Sequence, residues 1–212
     1  MKAQIVLVRG AVVTRALVVS ALVLGGCASK QKTEEIQAAK VEESSLDGVK
    51  DQRNGNETVK EYDLNRDKKP DVFKYFVAGK DAEGKPLEVL VRKELDINWD
   101  GKIDIWRYYN EKEQVDKEAL DLDFDGRVDQ VNYYERGQIV RKEKDLDYDK
   151  RADLWVFYEK GKLLRKERDT NSDGKVDYWE YWESDEIDRV GEDLDGDGNV
   201  DKWTRKAAAS AE

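Results

Sequence analysis

The chain of 212 residues has no histidine, a single cysteine, two prolines and one methionine. Without histidine there is no Ser-His-Asp or Cys-His nucleophilic site, and zinc lacks its usual nitrogen ligand. With Cys27 alone, no internal disulfide forms. Basic excess is missing as well: 38 Lys and Arg against 48 Asp and Glu give a net charge of −10, so nucleic acid is not an expected partner. Long apolar runs are reduced to residues 16–24, too short to cross a bilayer as a mature helix. Carboxylate pairs of the kind glycosidases use are plentiful. The same aspartates recur along the chain, however, whereas an active site should break a repeat. No enzymatic activity is expected.

What the chain does contain is a repeated acidic loop. Asp stands at positions 1, 5 and 9, with Asp or Asn at position 3, in six stretches that begin at Asp63, Asp96, Asp121, Asp145, Asp169 and Asp193. The last four intervals are 25, 24, 24 and 24 residues; the first is 33, which an insertion around residues 79–86 explains. A fixed period of this length marks a repeat architecture. The six nine-residue loops hold 21 of the 48 carboxylates. A hard cation takes six to eight oxygens, and oxygen donors at alternate positions of a short turn wrap such an ion.

The stretch Asp169–Glu180 resembles an EF-hand calcium loop, with Asp169, Asn171, Asp173 and Asp177 at positions 1, 3, 5 and 9, Gly174 at 6, a backbone carbonyl at 7 and Glu180 at 12. Elsewhere position 12 is Lys74, Arg107, Asn132, Val156 or Thr204. About 15 residues outside each loop are also too few for two helices. The loops therefore look more like the D-x-D-x-D-G-x-x-D calcium loops between strands of integrin-type propellers. That resemblance implies Ca2+ at Asp96, Asn98, Asp100 and Asp104; at Asp121, Asp123, Asp125 and Asp129; at the Asp169 loop; and at Asp193, Asp195, Asp197 and Asp201. Two loops have lysine where the turn favours glycine: Lys68 among Asp63, Asn65, Asp67 and Asp71, and Lys150 among Asp145, Asp147, Asp149 and Asp153. These two rank as weaker sites.

Between loops the pattern is that of strands. Ile105-Trp106-Arg107-Tyr108-Tyr109 and its equivalents alternate with period two. Turns such as Glu159-Lys160-Gly161-Lys162 follow, and then charged return segments. The Tyr-Tyr-Glu-x-Gly-x-Leu pattern is similar to MORN-like hairpin repeats. The expectation is an all-β chain beyond residue 55, with hairpins of about 24 residues in an antiparallel meander, as an open curled sheet or a closed barrel. Calcium loops then lie along one edge, roughly 10 Å apart. Trp106, Tyr108, Trp155, Trp179, Tyr181 and Trp203 share one face. They serve either as packing or as a platform for a glycan or protein partner.

The N-terminus reads as an address. Lys2, Arg9 and Arg15 precede the apolar run, which ends in Leu24-Gly25-Gly26-Cys27. This resembles the lipobox of bacterial lipoproteins, which implies cleavage before Cys27 and acylation of it. Ala28 in place of Asp leans toward the outer membrane. The expected organisation is a signal peptide over 1–26, a polar tether over 27–54, the repeat domain over 55–206 and a disordered tail over 207–212. The expected function is a lipid-anchored, calcium-binding envelope protein, acting as a non-enzymatic scaffold or adhesion module; the alternative is a glycan-binding lipoprotein.

Overall fold

The computed structural model describes Leu46 and residues 55–205. The expected signal peptide, the expected lipidation site Cys27, the remaining residues of the expected tether and the tail lie outside the described residues. The repeat domain is all-β, as its periodicity requires. Twelve strands form one antiparallel meander in strict chain order: β1 (Thr58–Tyr62), β2 (Val72–Lys80), β3 (Pro86–Leu95), β4 (Ile105–Tyr109), β5 (Val115–Leu120), β6 (Gln130–Glu135), β7 (Gln138–Lys144), β8 (Leu154–Glu159), β9 (Lys162–Arg168), β10 (Tyr178–Glu183), β11 (Glu186–Glu192) and β12 (Lys202–Arg205). The sheet is open, with β1 and β12 as its edges. The long first interval becomes a longer hairpin. β2 and β3 run nine and ten residues, and they approach so closely that a Cβ on Gly79 would meet Val89 at 2.5 Å.

Register fixes the faces. One cross-strand row runs Glu94, Trp106, Ala119, Val131, Glu143, Trp155, Glu167, Trp179, Gly191 and Trp203. Outgoing strands mostly supply the large apolar residue, and return strands supply a carboxylate or a small residue. Trp106, Trp155 and Trp179 are buried, and Ala119 and Val131 are fully so. A single-layer sheet needs a cover to achieve this, and over Trp106 the loops and Leu46 provide it. Val128 packs into the cluster of Trp106, Ala119 and Val131, joined by Ile103 and Ala152; all three are position-8 residues. At the far end a Cβ on Gly191 would meet Val200 and Trp203 at 3.0 Å. A buried tryptophan removes ~150–250 Å² from water, about 4–6 kcal/mol before ordering entropy is subtracted.

The neighbouring row on the same face alternates aromatic rings with cations. The Arg92 guanidinium lies 3.7 Å from the Tyr75 ring centre, Arg141 4.0 Å from Tyr133, and Arg165 3.8 Å from Phe157. Each of these arginines also pairs with a glutamate two residues along its own strand: Glu94, Glu143 and Glu167. Burial, with Glu143 as acceptor, pushes the Tyr133 hydroxyl up to about 12. It therefore stays a donor, at 2.9 Å from Glu143.

Two features differ from the sequence reading. Every hairpin that begins on an aromatic strand, from β2–β3 to β10–β11, carries a bulge at its aromatic residues, with one extra residue on the return strand (Val91, Asp116, Val140, Leu164 or Asp188). Such bulges sharpen the local twist. Leu46 belongs to the stretch read as a tether, yet it is 3% exposed in the cluster with Trp106 and Val128. Its amide donates to the Lys150 carbonyl at 2.9 Å.

Candidate metal centres on the loop edge

All six loops lie along one edge of the sheet, between β1 and β2, β3 and β4, and so on to β11 and β12. Their backbones are stitched together. The position-1 amide of each later loop donates to the position-9 carbonyl of the loop before it: Asp96 to Asp71, Asp121 to Asp104, Asp145 to Asp129, Asp169 to Asp153 and Asp193 to Asp177, at 2.8–2.9 Å. Each position-9 amide closes its own loop on the residue before position 1, as Asp104 does on Leu95.

Inside each loop the side-chain oxygens accept from the turning backbone. In 96–104, Asp104 accepts from the amides of Ile97 and Asn98, and Asp96 from those of Trp99 and Gly101. Asn98 accepts from Asp100 and Asp100 from Lys102. The same scheme holds in 63–71 and in 193–201. These short side chains accept from the backbone two to seven residues away, which is why Asp and Asn are needed here whether or not an ion binds.

The turn requires a left-handed backbone twice, at positions 4 and 6. Position 6 is Gly101, Gly126, Gly174 or Gly198, but Lys68 and Lys150 adopt the same conformation, at φ 73 and 76. Their loops have the same hydrogen-bonded skeleton as the others, so lysine changes the cost and the charge and leaves the shape intact. That cost is about 1 kcal/mol each. Position 4 went unnoticed in the sequence: Arg66, Trp99, Phe124, Tyr148, Ser172 and Gly196 all have φ between 58 and 78. Only one of the six is glycine.

Three groups of carboxylates bring ligand atoms within 4.8 Å of one another: Asp121 with Asp123 and Asp129, Asp145 with Asp147 and Asp153, and Asp193 with Asp195 and Asp197. These are the three loops with Asp rather than Asn at position 3. In the loops of Asp63, Asp96 and Asp169 the predicted residues line the same turn without three carboxylates that close, among the described residues. The first group has a further property. Asp121 is 2% exposed, and its Oδ1 is buried with no hydrogen-bond partner, while Oδ2 accepts from the Gly126 amide at 2.7 Å. Burial pushes the Asp121 carboxyl above the usual range; the Gly126 amide opposes this, as does the Phe124 amide, which lies near without a well-formed hydrogen bond, and Asp129 and Asp125 add to it. Asp153 is pushed up likewise, by burial and by Asp147 and Asp145. Asp193 goes the other way: desolvation would raise it, but the amides of Gly198, Gly196, Asp195 and Asp197 hold it low.

Basic residues at position 7 temper these sites. Arg151 holds Asp149 low through a side-chain hydrogen bond of 2.7 Å, which occupies one oxygen of a predicted ligand. Arg127 pairs with Asp125 at 3.2 Å and reaches the Tyr148 carbonyl of the next loop. Lys175 donates to the Gly196 carbonyl at 2.6 Å.

Two sequence assignments are corrected. Glu180 is not a loop ligand: it lies on β10 beside Trp179, on the opposite face, where it pairs with Lys166 at 3.2 Å and accepts from the Trp182 indole. Strand alternation overrides the helical geometry that position 12 assumes. The aromatic platform is also largely absent. Trp106, Trp155 and Trp179 are buried, Tyr108 and Tyr181 are half-buried, and of the six Trp203 alone is exposed, edge-on to Tyr181 at 5.7 Å.

No family model matches this chain, and no curated protein does. Solved structures give distant similarities. Accessory secretory protein 1, 2 and 3 in Streptococcus pneumoniae is 15% identical over 64% of this chain and 23% of that one, with a TM-score of 0.39. TarM is 16% identical over 60% and 20%, at 0.33, and the GtfA/B complex is 14% identical over 60% and 20%, at 0.31. The chain spans only about a fifth to a quarter of their length, and likeness at this level carries neither fold nor function across.

Proposed function

We propose that this chain is a lipid-anchored envelope protein whose loop edge binds Ca2+ and whose sheet acts as a non-enzymatic scaffold. The observation that carries the reading is the Asp121 Oδ1 atom, buried without a partner in a group of three carboxylates. A desolvated, unpaired carboxylate oxygen beside like charges is unfavourable, and a bound cation relieves it. The donor set fits a hard ion, since Asp121, Asp123 and Asp129 offer oxygen only. These residues would hold the ion, which supplies charge neutralisation. They also link neighbouring hairpins, because Asp129 hands its carbonyl to the Asp145 amide.

Calorimetric titration of calcium into the protein tests this, with Asp121→Asn/Asp123→Asn as the control. Binding at millimolar concentration or tighter, weakened at least tenfold in the control, is expected. A wild-type protein with no calcium heat would end the reading. The anchor is tested separately: Cys27→Ser should leave the membrane fraction, and unchanged acylation would refute the lipobox assignment.

A further inference from the structure

Among the described residues, most of the exposed large apolar side chains sit on the loops. Position 2 is Ile97, Leu122 and Leu146 in three consecutive loops, and position 4 is Trp99, Phe124 and Tyr148, the last three 60%, 40% and 52% exposed. We propose that this ridge is a calcium-dependent docking surface for an anionic lipid layer. The proposal rests on the cation-binding reading above.

Four observations point this way. Trp99, Phe124 and Tyr148 are held at φ 66, 67 and 66, where Gly196 stands in the last loop. A bulky ring in the left-handed region and in water carries two costs, and a merely structural turn would shed both. Secondly, the three loops are stitched side by side at two-strand intervals, so the six residues form one line roughly 20 Å long. That is a contiguous patch rather than scattered exposure. Trp and Tyr, with an apolar body and a polar tip, suit the headgroup boundary.

Thirdly, charge selects the lipid and the ion together. The six loops hold eight basic residues against 21 carboxylates, so the edge alone is repelled by an anionic surface. One divalent ion in each of the six loops supplies 12 positive charges against that excess of 13, so the repulsion is nearly cancelled and each ion offers a positive point to a phosphate. With Glu180 on the opposite face, and Arg107, Asn132 and Val156 at the equivalent positions, no position-12 carboxylate completes an ion's shell. Four side chains and one carbonyl fall short of six to eight oxygens, and a lipid phosphate supplies the remainder. Finally, Leu46 bonds to the Lys150 carbonyl, so the chain joins the sheet at this edge. Cys27 lies 19 residues earlier, a length that spans at most about 65 Å. An anchor there keeps the ridge within reach of lipid.

Residues 28–212 keep Leu46 and every described strand and loop but lack Cys27, so no acyl chain carries them to a membrane. Co-sedimentation with vesicles of phosphatidylcholine and phosphatidylglycerol at 3:1 is measured in about 2 mM calcium and in chelator, beside pure phosphatidylcholine. The expected result is at least tenfold tighter binding with calcium and anionic lipid. Trp99→Ser/Phe124→Ser/Tyr148→Ser should lose that tenfold while its calcium isotherm is unchanged, which also verifies its fold; Trp99→Ser alone should lose about threefold. If calcium binds and vesicles do not, or the triple variant sediments like wild type, the docking surface is refuted and the cation reading stands. Calcium-dependent dimers in place of vesicle binding would refute it too, assigning the ridge to a second copy. If calcium itself does not bind, the earlier reading fails first.

Discussion

Asp121→Asn should move stability in opposite directions with and without calcium. The Asp121 carboxylate is buried, one oxygen makes no well-formed hydrogen bond although the Phe124 amide is near, and Asp129 and Asp125 repel it. An unsatisfied buried acceptor costs about 1–3 kcal/mol. Asparagine keeps an oxygen for the Gly126 amide and puts a donor toward the carboxylates of Asp123 and Asp129, so most of that cost disappears. For a domain of this size 1 kcal/mol shifts Tm by roughly 2–4 °C, and a gain near 2 kcal/mol gives about 4–8 °C in chelator. At calcium one hundred times Kd, a site adds about 2.7 kcal/mol, and the variant forfeits that increment at this loop. Its calcium-induced rise in Tm should fall short of wild type by about 5–10 °C. Thermal melts followed by far-UV circular dichroism, in chelator and in calcium, read both numbers. A variant less stable in chelator, with an unchanged calcium response, would refute the reasoning.

Lys150→Gly should stabilise the protein by about 1 kcal/mol by relieving φ 76, and should strengthen calcium binding at Asp145, Asp147 and Asp153 by removing a charge; urea unfolding and calorimetry measure the two effects. Leu46→Ala should cost about 2–4 kcal/mol in the same unfolding assay, and a loss below about 0.5 kcal/mol would mean that this residue is not part of the core. Asp121 and Asp153 have folded pKa values above the ordinary 3.8, so between those values the native state binds more protons than the unfolded chain. Stability in chelator should therefore climb as pH falls through these raised folded values toward the ordinary 3.8, then turn over as the low-lying Asp149 and Asp193 protonate. The calcium increment should shrink over the same range; a flat melting profile in chelator would count against the buried-carboxylate account.

The acidic loops and the hairpins were legible because both are periodic: aspartates at every second position of a turn, and aromatics at every second position of a strand. What periodicity does not carry is the cover on each face. Trp106, Trp155 and Trp179 read as one row, but at Trp106 it is Leu46 and the position-8 residues Val128, Ile103 and Ala152, folded back from the loops, that make the row a core. Leu46 was hidden in a polar stretch whose composition argues against packing, because a single side chain does not alter a compositional signal. The left-handed position 4 was hidden by its occupants, since Trp99, Phe124 and Tyr148 are residues that sequence rules exclude from such a backbone. Glu180 was misplaced because the loop opens directly into a strand, where the next residues alternate faces.

The hydrogen-bonding scheme also separates the two roles of the aspartates. Positions 1 and 9 accept the amides that close the turn and are buried in most loops, as Asp71, Asp96, Asp104, Asp145 and Asp169 show. They act as struts. Positions 3 and 5 each accept one local amide, as Asn98 and Asp100 do, and belong to the solvent side of the turn. The same struts form in the loops of Lys68 and Lys150, whose local charge is least suited to an ion. Backbone hydrogen bonds to the aspartates are common to all six loops, and the residues an ion would need are turned toward one another at Asp121, Asp145 and Asp193. Binding at such loops spends little on ordering the chain, and its strength is set by charge: by the orphaned oxygen of Asp121 on one side and by Arg127, Arg151 and Lys175 on the other.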